Sequence, residues 1–269
     1  MRVTRLGAAL IVIAVVCGAL YIGVRALLGD SLPGRTTARC SFGSYSTDTR
    51  QASVAATMVG VVLQRGLPER AAVLVITAAW QESKLRNVPA GAGDRDSVGV
   101  LQQRPSQRWG TMQELADVAI ATNRFLDALL NVPGWDTEPA AEVIQAVQIS
   151  ADGSLYAQHE AKSTAMAQAL TGSAPEGITC RFDAPDAVAE PAVVAALLAQ
   201  ELPVAAPTVG ADTVSAPGAA WATTAWFVAN ADRLGIDSVS YARRTWTRAD
   251  GWADSDAGSE AVVARMADA

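Results

Sequence analysis

Over most of the chain, apolar residues recur at intervals of three and four, which favours helices over strands. Val54, Met58, Val61 and Val62 predict a helix over 49–66, with Gly66 as its stop. Leu67-Pro68-Glu69-Arg70 opens a second helix, since proline suits a first turn and an acidic residue suits the helix dipole. Its body, Ala71 to Trp80, is apolar nearly all round and predicts the central buried helix, with Glu82 emerging from its C-terminal end. Asn87 to Asp96 reads as a loop, and Thr111-Met112-Gln113-Glu114 fits a capping box. Leu115, Val118, Phe125, Leu126 and Leu129 then line one helix face, which ends before Pro133-Gly134. Thr137-Glu138-Pro139 opens another helix through Val143, Ile144 and Val147, and Gly153 to Leu170 reads as the last. Residues 49–180 are therefore expected to form an all-α domain.

Beyond Cys180 the pattern changes. Residues 181–217 are rich in Ala, Val and Pro and read as a linker of low order, with one short helical candidate, Val193 to Leu202. Trp221 to Leu234 is an amphipathic helix closed by Gly235. Ile236 to Tyr241 and Arg244 to Thr247 alternate like short strands, and Ala261 to Met266 suits a strand or a helix. Residues 218–269 are thus expected as a small C-terminal α/β module, marginal alone. The fold class predicted is mainly α.

At the other end, Arg2 and Arg5 precede nineteen uncharged residues, Leu6 to Val24. At about 1.5 Å per residue this nearly spans a hydrocarbon core. Residues 1–30 therefore read as a transmembrane anchor and 31–48 as a juxtamembrane linker. A cleaved signal peptide is the competing reading, but no Ala-x-Ala-like site follows the run. The anchor predicts a single-pass protein whose partner is the cytoplasmic membrane.

Composition narrows the function. Half of the 269 residues are hydrophobic, 18% are charged and the net charge is −6. No basic face for nucleic acid is expected, nor a body lying flat on an anionic membrane. A single histidine, His159, makes a His-rich zinc site or a serine–histidine triad hard to build; no metal and no cofactor are expected. Cys40 and Cys180 bracket the helical domain. They are either two separate buried thiols or one disulfide, which would imply an oxidising compartment and a body on the extracytoplasmic side.

Glu82 carries the candidate chemistry. A carboxyl group at the end of an apolar helix is poorly solvated where it faces a cleft, stays protonated more readily, and can donate to a leaving oxygen. Its surroundings, Trp80-Gln81-Glu82-Ser83-x-Leu85 followed by Gly99-Val100-Leu101-Gln102-Gln103, resemble the lytic transglycosylase (Slt-type, goose-lysozyme-like) family. The run from Asp96 to Pro105 with Trp109-Gly110 is similar to a membrane-anchored actinobacterial subgroup of it. The resemblance implies a lysozyme-like domain acting on peptidoglycan glycan strands. It makes Glu82 the acid, Ser83 its supporting hydroxyl, and Gly99, Gln102 and Gln103 part of the segment lining the sugar cleft. Tyr156 falls at a family-like distance for a hydrogen bond to the acid. The family's Ala-Tyr-Asn-Ala-Gly segment is absent; Ala146-Val147-Gln148-Ile149-Ser150 stands there, and Gln148 can supply an amide in place of Asn.

The implied reaction is non-hydrolytic cleavage of the bond between N-acetylmuramic acid and N-acetylglucosamine. Hydrolysis would call for a second carboxylate, for which Asp94 and Asp96 are the candidates. A weak or inactive peptidoglycan-binding scaffold of an envelope or secretion assembly is the alternative function. Arg104, Trp109 and Trp135 suit either a sugar cleft or packing, and His159 reads as a solvated helix residue. The segment 221–256 resembles modules that follow such domains, but without any histidine it reads as binding or packing.

Overall fold

The computed structural model describes residues 37–149, 152–185, 187–217, 221–256 and 260–268. Helix α1 (Thr49–Gln64) starts from Asp48, whose carboxylate accepts from the Gln51 amide at 2.8 Å while the Gln51 side chain caps Asp48 in return. This reciprocal pairing satisfies two N–H groups the first turn would leave bare. Helix α2 (Glu69–Ser83) buries every residue from Ala71 to Ala79, so the apolar run does form the central helix. The Thr111 capping box is present, but it serves a single turn, α3 (Met112–Leu115). Asp117 caps a separate helix, α4 (Val118–Leu129), by accepting from two amides. Helix α5 (Ala140–Gln148) follows, then a 3-10 stretch (Gly153–His159) that hands over to α6 (Glu160–Thr171). The single helix expected over 153–170 is thus in two parts.

Among the described residues are eight α-helices and nine strands in two antiparallel sheets. That corrects the expected architecture of an all-α domain joined by a linker to a small module. Strands β1 (Arg39–Phe42) and β2 (Tyr45–Asp48) lie where a juxtamembrane linker was expected, and β3 (Ile178–Arg181) pairs with β1 to give the order β2-β1-β3. These four-residue strands mix Ser, Thr, Arg and Asp with few apolar positions, too short for alternation to register. Cys40 and Cys180 face each other in the β1–β3 register and form a disulfide.

The stretch expected as a low-order linker carries α7 (Pro191–Glu201), β4 (Thr208–Val209) and β5 (Thr213–Ala216). Helix α8 (Trp221–Leu234) follows, and then β6 (Ile236–Tyr241), β7 (Arg244–Thr247), β8 (Gly251–Asp254) and β9 (Val262–Met266), which settles the strand-or-helix choice at the end. The second sheet runs β4-β5-β9-β6-β7-β8.

Both sheets belong to one compact unit, residues 38–269. Helix α8 packs against α1 and α6. On α1, Gly60 lets the Glu201 carbonyl of α7 approach so closely that an added Cβ would lie 2.3 Å from its oxygen. The Glu201 carboxylate accepts from Thr57 Oγ1 of α1 at 2.9 Å and from Trp226 Nε1 of α8 at 2.8 Å. The indoles of Trp246 and Trp252 donate to the Cys180 and Ile178 carbonyls, tying the second sheet to the first.

No helix among the described residues is long and apolar enough to cross a membrane. The expectation of a single-pass membrane protein is corrected accordingly; the segment assigned as its anchor, 1–30, lies outside the described residues.

Candidate functional site

The site begins where α2 stops. Lys84 and Leu85 take the left-handed conformation (φ 56° and 57°), and their amides return to the Trp80 and Ala79 carbonyls. The Gln51 side chain donates to the Lys84 carbonyl at 2.7 Å, fixing this end against the start of α1. Ser83 Oγ donates to the Val100 carbonyl at 2.7 Å and accepts from the Arg86 amide at 3.1 Å. Its hydroxyl therefore ties the end of α2 to the next segment instead of facing the cleft.

That segment is a small hairpin closed by Val98 N–H to the Gln103 carbonyl at 2.9 Å and Gly99 N–H to the Val88 carbonyl at 2.8 Å. Gly99 has φ +80° and sits so near the Leu115 carbonyl that a Cβ would lie 2.1 Å from its oxygen. Only glycine meets both demands. Gln102, at φ 48°, folds its amide onto the Gly99 carbonyl at 2.9 Å. Gln103 is 2% exposed and donates to the Ala121 carbonyl at 3.2 Å.

A cleft of about 390 Å³ opens above this hairpin. Glu82, Gln102, Gln103 and Gln148 all line it, so four of the residues named from the sequence converge on one space. Tyr156, fully buried, reaches Glu82 from the 3-10 stretch and donates to Oε1 at 2.7 Å. Gln148, at the end of α5, donates to the Leu101 carbonyl at 3.1 Å and also hydrogen-bonds Glu82. Burial pushes the Glu82 carboxyl above the ordinary glutamate range; the bonds from Tyr156 and Gln148 pull the other way without cancelling it. A carboxyl held so, at the wall of a polar cleft, can give up a proton to a bound oxygen and take one back.

The two candidate second carboxylates separate. Asp96 accepts from Arg104 Nε and from the Ser106 amide, both at 2.8 Å, and these bonds hold its carboxyl far below the usual carboxylate range. It is committed to holding the loop. Asp94 lines the cleft with an exposed side chain. Arg104 and Trp109 also line it, whereas Trp135 packs at the edge of the core. His159 Nε2 donates to the Gln81 side-chain oxygen at 2.9 Å, beside Trp80, and is not among the cleft residues. Burial and the nearby Lys162 lower its pKa. No cluster of three or more His, Cys, Asp or Glu able to hold a metal occurs among the described residues.

Ser97, Gln107 and Ile149, none of them expected there from the sequence, also line the cleft. Gln107 follows the Gln-Gln-Arg-Pro run by two positions, which was signal enough to include it. Ile149 adjoins Gln148, but its orientation depends on how α5 ends, which its residue type gives no sign of. Comparison with protein-family models and with curated proteins found no match to this chain.

Proposed function

We propose that the protein is a lytic transglycosylase that cleaves peptidoglycan glycan strands with Glu82 as its one acid–base group. The observation that carries this is the Glu82 carboxyl itself, held above its ordinary pKa by burial, oriented by Tyr156, and set in a cleft lined by glutamine amides and Ser97. The resemblance of 80–103 to the family motif agrees with it.

Protonated Glu82 gives its proton to the oxygen joining N-acetylmuramic acid to N-acetylglucosamine. The bond from that oxygen to the muramoyl C1 breaks, and the leaving sugar departs with a new hydroxyl. The carboxylate then accepts the proton of the muramoyl 6-hydroxyl as its oxygen bonds to C1, closing a 1,6-anhydro ring. Glu82 ends protonated and no water is consumed, so one carboxylate suffices. Tyr156 and Gln148 steady the anion between the steps. Asp94 on the same cleft favours simple hydrolysis as a second reading, since a retaining or inverting glycosidase uses a pair of carboxyl groups.

Digestion of purified sacculi tests both. The wild type should release anhydro-muropeptides, and Glu82→Gln should reduce release by about 10²–10⁴-fold, the usual contribution of a general acid. Reducing-end products would favour hydrolysis. Sacculus binding without release would mean a peptidoglycan-binding protein with no lytic activity.

A further inference from the structure

Ile149 combines three features that folding alone does not favour. It is 85% exposed, the most exposed of the large hydrophobic residues among those described. It takes the left-handed conformation at φ 52°, ψ 43° as the cap of α5, its amide bonded to the Gln145 carbonyl at 2.8 Å. Glycine or asparagine fills such a cap without strain, whereas a β-branched residue there is an outlier. Finally, it stands on the rim of the Glu82 cleft, next to Gln148. Backbone strain at a functional cleft is a pointer to a role there.

We infer that Ile149 is a specificity residue, whose side chain packs on a methyl group carried by a sugar bound beside Glu82. The cleft's chemistry directs this choice. Most of its lining is polar, from Asp94, Ser97, Arg104 and the glutamines, and suits ring hydroxyls and carbonyls. Among the described residues that line it, only Trp109 and Ile149 offer apolar surface. The Trp109 ring suits a flat sugar face, while a branched aliphatic group on the rim suits a small apolar substituent projecting from the ring. In peptidoglycan two groups have that chemistry, the N-acetyl methyl and the lactyl ether methyl. This inference rests on reading the cleft as a glycan site.

The test is binding, measured by calorimetric titration of the full chain and independent of turnover. The probes are an N-acetylglucosamine tetrasaccharide, its de-N-acetylated counterpart, and a tetrasaccharide alternating N-acetylglucosamine with N-acetylmuramic acid. Ile149→Asn keeps a residue suited to the left-handed cap and removes the apolar branch; Ile149→Val retains that branch. Asn should weaken binding by about three- to tenfold, the scale of one lost apolar contact, with no fall in melting temperature, and Val should bind nearly as the wild type. An equal loss on both acetylated probes identifies the acetyl methyl, and a loss confined to the muramic probe identifies the lactyl methyl. Asn binding as tightly as wild type, or no wild-type preference for acetylated over de-N-acetylated sugar with no added affinity for the muramic probe, overturns the inference. Wild type that binds as expected yet releases no anhydro product refutes the proposed activity and leaves Ile149's role standing.

Discussion

A carboxyl group that is harder to ionise when folded makes the protein's stability depend on pH. Glu82 has its pKa raised by burial, so between the ordinary glutamate value and the raised one the folded chain holds more protons than the unfolded chain. Stability contributed by this group is therefore full at low pH and falls as pH rises through that window. Glu82→Gln, neutral throughout, should melt close to wild type at about pH 4 and above it at about pH 7. A variant that melts lower at the higher pH would show that the glutamate is not penalised by burial. Tyr156→Phe addresses the opposing contribution. Its hydroxyl donates to Glu82 Oε1, so removing it should raise the Glu82 pKa further and cost about 1 kcal/mol of stability. Carbon-13 NMR titration of the glutamate carboxyl reads the shift directly, and a downward shift would contradict the hydrogen-bond assignment.

The site depends on how its elements end. Helix α2 terminates in Lys84 and Leu85, both left-handed, and α5 terminates in Ile149 likewise. The hairpin between them turns at Gly99, where a methyl group would have both the wrong φ and a carbonyl oxygen in its place. Gly99→Ala should cost at least about 2 kcal/mol in urea unfolding and lower activity with it; an unchanged midpoint would mean the hairpin and Leu115 move apart freely. The helices were legible because 3.6-residue periodicity repeats several times within each, and Glu82 was legible because it punctuates the most apolar of them. The first sheet was not, since RCSF, YSTD and ITCR are four-residue strands and the pairing of the first with the last spans 140 positions of sequence. Nor was Ile149, because an isoleucine gives no sign of a left-handed cap. Gln103 could be placed near the cleft from its neighbours, but its bond to Ala121 depends on where α4 packs.

Across residues 38–269, the later third of the chain is part of the same core as the helices that carry Glu82. Glu201 joins three helices through Thr57, Trp226 and Arg233, and Trp226 is almost fully buried. Glu201→Ala leaves the indole N–H without that acceptor and should cost about 1–3 kcal/mol. The loss should appear in one cooperative transition, with tryptophan fluorescence and far-ultraviolet circular dichroism coinciding. Separate transitions would mean that the second sheet unfolds on its own.

The Cys40–Cys180 bridge also makes residues 41–179 a closed ring, with Glu82, the Gly99 hairpin, Gln148 and Tyr156 all inside it. A single cut anywhere in that ring changes its connectivity without releasing a fragment. Arg95, exposed and left-handed in the loop before the hairpin, is a natural point for trypsin to cut. Briefly treated protein should migrate as one band on a non-reducing gel and as two once reductant is added, with Glu82 and its hydrogen-bond partner Tyr156 on different pieces. The bridge would keep the halves of the site together after the backbone between them is severed.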